Sequence, residues 1–207
     1  MKFMLIGITG KMGSGKSLFS SFFEKKGIPV YYSDKRGKIL MNQKRVIKEN
    51  IIKYFGRNSY NKKEKINKSY LSEIVFKNPI ALRLLGSIVH PCISIDFRNW
   101  ISSIYKKKTL YVIKESALLF ESGSYKKCDL VITITSPMEK MIERIIKRDN
   151  LNKNQIINRL KNQMSNQKRK KKSNIIIKNH FSKAYLQKEA DRMHKLFKNL
   201  FHYGKRR

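Results

Sequence analysis

The chain predicts an α/β fold: a central parallel sheet of about five strands flanked by helices, with a helical region inserted after the second strand. Three observations carry this. Short apolar runs alternate along the chain with segments of helical spacing, and that order implies parallel strands joined by right-handed crossovers. The run over residues 129–135 is continuously apolar and β-branched, which suits a strand covered on both faces. Residues 35–105 are mostly helical in pattern and poor in strand signals.

Taken in order, residues 3–9 form the first strand, with Phe3-Met4-Leu5-Ile6 running into a glycine turn. Leu18, Phe19, Phe22 and Phe23 then fall at i, i+1, i+4 and i+5, one apolar stripe along a helix that Gly27 and Pro29 stop. Residues 30–33 read as a second short strand ending at Asp34. In the helical region apolar residues recur at Ile39, Leu40, Ile47, Ile51 and Ile52, and again at Leu71, Ile74 and Val75, around a polar loop over 57–69. Asn78-Pro79 predicts an N-cap with proline at the first helical position, opening a helix with Leu84, Leu85 and Ile88 inward. His90-Pro91 is expected to end it, because the residue before proline is pushed out of the α region.

Strands follow at 109–114 and 129–135. Ser136-Pro137-Met138-Glu139 predicts a capping box and a helix start, and residues 152–155 offer a similar cap to the next helix. Residues 174–178 read as the last strand. An amphipathic helix over 183–201 runs through Leu186, Ala190, Met193, Leu196, Phe197 and Leu200.

With 207 residues the chain suits one core, with room for a small inserted subdomain. Its 47 Lys plus Arg stand against 14 Asp plus Glu, a net charge of +33 that favours polyanions. The basic residues are spread along the chain among many Asn and Ile, and Lys, Asn and Ile all have A/T-rich codons, so the base composition of the gene also accounts for the charge. Lys168-Arg169-Lys170-Lys171-Lys172 has the same two readings, a solvated loop or a polyanion contact. Cys92 and Cys128 lie far apart and outside any Cys-x-x-Cys spacing, as buried thiols of a reducing cytoplasm would. The N-terminal apolar run is too short for a signal peptide, and no stretch reaches the roughly 18 apolar residues of a membrane span. A soluble, cytoplasmic protein with no membrane and no specific nucleic-acid partner is expected.

Between the first strand and first helix stands Gly10-Lys11-Met12-Gly13-Ser14-Gly15-Lys16-Ser17-Leu18. The spacing Gly10-x-x-x-x-Gly15-Lys16-Ser17 is that of a phosphate-binding P-loop, in the strand-to-helix context such a loop requires. Glycines let successive backbone N–H groups curl around phosphate oxygens, and the helix N-terminus adds a favourable dipole. Lys16 reaches β and γ phosphates, and Ser17 suits Mg²⁺. The loop identifies a nucleotide as phosphate donor and leaves the acceptor open, since GTPases, motor ATPases and small-molecule kinases all use it.

Asp34 stands at the C-terminal end of the second predicted strand, where open α/β sheets present ligand-binding residues, and can either orient an acceptor hydroxyl or cap the next helix. Lys140, Arg144 and Arg148, four apart, share a helix face, with Met141, Ile142, Ile145 and Ile146 largely on another. Glu115 follows the third strand, where an acidic residue can sit near Mg²⁺.

With Gly7-Ile8-Thr9 before the loop, Asp34, His90-Pro91, Leu118-Leu119-Phe120-Glu121, Arg144 with Arg148-Asp149, and Ile176-Ile177-x-Asn179 after it, the sequence resembles dephospho-CoA kinases over roughly residues 3–180. The resemblance implies ATP-dependent phosphorylation of the ribose 3'-hydroxyl of dephospho-CoA, the last step of coenzyme A synthesis, with Mg²⁺. It implies Asp34 as general base and Arg144 as a catalytic lid arginine. It further implies ATP contacts from Gly10 to Leu18, Arg148 and Asn179, acceptor contacts from Asp34, His90, Leu118 and Arg159, and a supporting hydrogen bond from Gln163. Within one domain, 1–34, 106–136 and 173–207 would form the core, 35–105 the acceptor-binding region and 137–172 the lid. The chain departs from the family at Tyr32, where Asp is usual, at Met141, where Gln is frequent, and at Ser173-Asn174 in place of Ala-Asp. The competing readings are a nucleoside monophosphate or shikimate-type kinase on the same fold, and a nucleic-acid-binding ATPase suggested by the charge.

Overall fold

The structure, a computed structural model, describes residues 3–105, 109–149 and 151–204. Among them are five strands, Met4–Thr9 (β1), Val30–Tyr32 (β2), Tyr111–Glu115 (β3), Leu130–Thr135 (β4) and Ile175–Lys178 (β5). They form one parallel sheet in the order β2-β3-β1-β4-β5. The helices are Lys16–Glu24 (α1), Ser33–Gln43 (α2), Arg45–Phe55 (α3), Lys68–Lys77 (α4), Pro79–Ile104 (α5), Met138–Asp149 (α6), Lys153–Lys161 (α7), Asn166–Lys172 (α8) and Lys183–Gly204 (α9). The chain divides into two compact units, one running up to Tyr32 and resuming at Ile104, the other Ser33–Ser103. The sequence-predicted borders at 106 and 207 lie outside the described residues.

In the first unit the sheet is buried by α1 and α9. Ile6, Ile8, Ile132 and Ile134 pack with Phe19, Phe23 and Phe197, all at most 0% exposed, and each such side chain contributes roughly 1.5–3 kcal/mol. Phe23 stacks on Phe197 with centroids 6.2 Å apart. Leu186, Ala190, Met193 and Phe197 form the inner stripe of α9 at i, i+4, i+7 and i+11. Leu196 and Leu200, expected inside, are 36% and 41% exposed: each sits one helical step of about 100° before a phenylalanine, Phe197 and Phe201, that takes the buried place.

Strand starts are fixed by side chains. The Asp129 carboxylate accepts the Leu5 N–H at 2.7 Å, and Asn174 Oδ1 accepts the Val131 N–H at 2.8 Å. Asn174 thus supplies an acceptor oxygen where the family usually has aspartate.

The second unit gathers α2 to α5 around Leu40, Ile47, Ile51, Leu71, Val75 and Val89. Arg36 of α2 holds Asp96 of α5 with two bonds of 2.8 and 2.5 Å. Asn78 caps α5 through bonds from the N–H groups of Ile80 and Ala81. The polar loop contains a short 3-10 helix, Arg57–Ser59, and a bridge between Tyr60 and Ile66 that closes a second turn, and ends where α4 begins. The expected stop at His90-Pro91 does not occur: α5 runs through Pro91 to Ile104. An interior proline costs about 3 kcal/mol, which the burial of Val89 before it and Phe97 after it offsets. Unbroken, α5 has 26 residues, and its most apolar 18-residue stretch has a mean hydropathy of 1.4, long and apolar enough to match a membrane span, contrary to expectation. Its Leu84, Leu85, Ile88 and Val89 pack into the core of this unit.

Candidate active site

The glycine-rich loop joins β1 to α1, with β3 and β4 on either side of β1. Its conformation explains two of its glycines. Gly13 has φ +78° and Gly15 φ +96°, a region L side chains rarely adopt. A Cβ on Gly15 would stand 2.2 Å from Asn179 Nδ2, and one on Gly13 would stand 2.6 Å from the Met141 carbonyl. Asn179 occupies that space for a reason: its Nδ2 donates to the Ser14 carbonyl at 2.8 Å, clasping the loop to the end of β5.

Lys16 opens α1 and is nearly buried, its Nζ 3.5 Å from Glu115 Oε1. Ser17 Oγ donates to the same oxygen at 3.4 Å. Glu115 pairs in register with Ile8 of β1 and Tyr32 of β2, so β3 stands between the loop strand and β2. On α6, Arg144 donates from Nη1 to the Gly13 carbonyl (3.2 Å) and Ser136 Oγ (3.1 Å), and from Nη2 to the Asn179 carbonyl (3.5 Å). These groups surround a cavity of about 310 Å³ lined by Gly13, Gly15, Lys16, Ser17, Leu18, Arg144, Arg148, Asn179, Phe181 and Lys183.

The predicted capping box at Ser136 is absent. Its hydroxyl instead donates to the Asn179 carbonyl at 2.9 Å and accepts from Arg144, while the Pro137 carbonyl accepts the first helical bond of α6. A half-buried guanidinium needs acceptors, and the hydroxyl serves it. The box at residues 152–155 forms as read: Asn152 Oδ1 accepts the Gln155 N–H, and Gln155 Oε1 accepts the Asn152 N–H.

Of the predicted nucleotide contacts, Gly13, Gly15, Lys16, Ser17, Leu18, Arg148 and Asn179 line the cavity, together with Arg144, predicted as the catalytic lid arginine; Gly10, Lys11, Met12 and Ser14 do not. Leu18, predicted on the apolar stripe of α1, is 38% exposed there. Lys11 Nζ turns to the Leu160 carbonyl at 3.2 Å, and burial, then Arg169, lower its pKa. Arg148 makes a two-bond pair with Asp149 at 2.8 and 2.7 Å. Lys140 bonds the His180 carbonyl.

Asp34 is exposed in the first turn of α2, and His90 is half-buried in the middle of α5. Leu118 is half-buried in the turn after β3, where its N–H donates to Ser116 Oγ. Arg159 is half-buried on α7, its pKa lowered by burial against an opposing pull from Asp149. Tyr32 donates to Glu24 at 3.0 Å, and burial and that carboxylate push its pKa up, so it offers no anion there.

Neither the cavity place of Lys183 nor the buried partners of Arg169 has a local signal in the sequence. Phe181 and Lys183 line the cavity just past Asn179, and Phe181 is 62% exposed, a cost an aromatic in a polar segment signals. Arg169, read as part of a solvated or polyanion-binding run, is wholly buried on α8, which is a helix and not a loop. It pairs with Glu121 at 2.7 Å and donates to Thr9 Oγ1 at 2.7 Å. Its apolar-free surroundings in sequence gave no periodic signal.

The donor set suits Mg²⁺. A hydroxyl and a carboxylate 3.4 Å apart beside a phosphate cradle are hard oxygen ligands, and Mg²⁺ takes few protein ligands beside water and phosphate oxygens. Among the described residues no cluster of three or more His, Cys, Asp or Glu suits a metal held by protein alone.

Comparison with known proteins gives a consistent result. A family model described as Dephospho-CoA kinase matches residues 4–184. The dephospho-CoA kinase of Fusobacterium nucleatum is 37% identical over 193 residues, 93% of this chain and 97% of that protein. That of Bacteroides fragilis is 32% identical over 182 residues, 87% of each chain. The solved dephospho-CoA kinase of Campylobacter jejuni, 29% identical, superposes with a TM-score of 0.66 over 92% of this chain and 95% of that one.

Proposed function

Because the chain belongs to the dephospho-CoA kinase family, it phosphorylates dephospho-CoA with ATP, and we propose how its residues divide that work. One observation supports the division most: Lys16, Ser17 and Arg144 converge on a single cavity at the glycine loop. The loop N–H groups and the N-terminus of α1 hold the β and γ phosphates. Lys16, resting on Glu115 in the free chain, turns to the phosphates as the stronger anion. Arg144 is held by carbonyl and hydroxyl oxygens and, among the described residues, pairs with no carboxylate, so its charge is available to the transferring phosphoryl group.

Asp34 takes the proton of the ribose 3'-hydroxyl as that oxygen bonds the γ phosphorus and the bond to ADP breaks. Ser17 and Glu115 would hold Mg²⁺, which neutralises charge on the β and γ phosphates. The exposed ring of Phe181 offers the adenine a stacking face. The helical unit Ser33–Ser103, with His90, takes the acceptor, as do Leu118 and Arg159, and residues 137–172 act as the lid. The reading includes a cytoplasmic site of action, supported by the free thiols Cys92 and Cys128.

The test is ADP release under Mg²⁺ with dephospho-CoA, AMP, shikimate or nucleic acid as the second component. Turnover only with dephospho-CoA is expected; ADP release that ignores dephospho-CoA overturns the reading. Asp34→Asn should lower turnover strongly while ATP binding stays near wild type, and undiminished turnover would remove Asp34 from its role.

A further inference from the structure

The outer limb of the phosphate loop is fastened to one short segment of chain by three bonds. Arg169 Nη1 donates to Thr9 Oγ1 at 2.7 Å, Lys11 Nζ to the Leu160 carbonyl at 3.2 Å, and the Met12 N–H to Gln163 Oε1 at 2.9 Å. The side chain of Met12 also packs against Ile145, Ile156 and Leu160, inside the apolar contact between α6 and α7.

The segment is itself anchored. Arg169 is fully buried, its Nη2 on Glu121 at 2.7 Å and its Nε on the Met164 carbonyl at 3.2 Å. The Met164 N–H donates to the same Glu121 oxygen at 2.9 Å. Arg144, through Gly13, fastens the loop's inner limb to α6, which packs against α7, the helix that leads into this segment.

We infer that residues 160–169 are a brace that holds the phosphate loop in its binding shape, with Gln163, Met12 and Arg169 as positioning residues for ATP. A loop with glycines at 10, 13 and 15 has much conformational freedom to lose. The brace removes that freedom before ATP arrives, so binding does not have to. The bonds reach the loop from outside the cavity, so the brace acts on affinity for the nucleotide and leaves the acceptor alone. It also ties loop shape to the position of α6, and therefore of Arg144.

The inference rests on the kinase reading only for its turnover measurements. The primary measurement is calorimetric titration of the full chain with ATP and Mg²⁺, without acceptor, beside a thermal unfolding scan. Gln163→Met keeps the length of the side chain and removes the acceptor; its Kd and KM for ATP should rise about tenfold, with the KM for dephospho-CoA within about twofold of wild type. Gln163→Glu restores an acceptor oxygen and should recover most of the affinity. Met12→Ala, which empties the apolar contact, should weaken ATP in the same direction, and carries the test should Gln163→Met not fold. A residue of merely structural importance would lower Tm and the active fraction without moving the Kd of the folded protein. Folded Gln163→Met and Met12→Ala that bind ATP within about twofold of wild type overturn the brace. A wild-type chain that binds ATP yet ignores dephospho-CoA overturns the kinase reading and leaves the titration standing.

Discussion

The wall of the phosphate cavity and the outer faces of α6 and α8 carry the same kinds of cation and use them differently. On α6, Arg144 donates to two carbonyls and a hydroxyl in the wall, while Arg148, one turn on and lining the same cavity, is 60% exposed and closed onto Asp149. On α8, Arg169 is buried against Glu121 and Thr9 while Lys168, Lys170, Lys171 and Lys172 face water. A cation held by neutral oxygens keeps its charge for an incoming phosphate. One already paired in water, or solvated alone, contributes little to binding or stability. In a chain of net charge +33, burial and partner separate a working cation from a solvated one, and sequence position does not.

The sharpest way to break this contrast is to remove the two arginines of α6 separately. Arg144→Met should lower turnover roughly a thousandfold, the scale of an arginine that stabilises a transferring phosphoryl group. Arg148→Met should cost less than about tenfold, since Asp149 already spends much of its charge. Steady-state turnover of both variants decides, and equal losses would end the distinction. Next in size is the buried cation of α8. Arg169→Met leaves Glu121 without its guanidinium and should destabilise by about 3 kcal/mol, read as a lower urea midpoint. Adding Glu121→Leu should recover part of it. An unchanged midpoint in Arg169→Met would show that the buried pair does no more than the exposed lysines beside it.

A smaller effect is expected at the clasp. Asn179→Ala removes the bond to the Ser14 carbonyl and should cost about 1 kcal/mol, with a Kd for ATP about fivefold higher in calorimetric titration. Unchanged affinity would mean that the loop keeps its shape without Asn179.

The features legible in the sequence are those whose physics closes within a few residues. The loop from Gly10 to Ser17 is defined by its own glycines between strand and helix, and Asn152 finds its capping partner three residues on. Asn78 does the same ahead of Pro79. Ser136 offers an equally good cap on paper, but Asn179 and Arg144, distant in sequence, compete for its hydroxyl and win. Pro91 obeys its local rule in isolation and is overruled by the burial of Val89 and Phe97. Arg169 was illegible because its partners, Glu121 and Thr9, lie 48 and 160 residues away. Leu196 and Leu200 were placed inside on hydrophobicity, when the four residues of the true stripe already filled the groove over the sheet.

The smallest effect belongs to the outer face of α6, where Lys147 and Glu143 pair at 2.8 Å with 74% and 61% of their side chains exposed. Each holds the other in its charged form, the Glu143 carboxyl drawn below the ordinary carboxylate range and the Lys147 ammonium raised above its ordinary range, the shared hydrogen bond being the first cause in both. A depressed carboxylate contributes stability that is present above its unfolded pKa and is lost as pH falls through the folded value. A raised ammonium contributes below its unfolded pKa and is lost as pH climbs through the folded one. The pair therefore stands across the whole neutral range, and its weakness there is not a matter of protonation. It is weak because water and salt screen it and two long side chains lose freedom to make it. Lys147→Ala should leave turnover unchanged and move the urea midpoint only at low ionic strength, an effect that disappears as pH falls below the Glu143 transition. A loss of turnover, or a midpoint shift in high salt like that of Arg169→Met, would show that an exposed, locally paired cation can match a buried one.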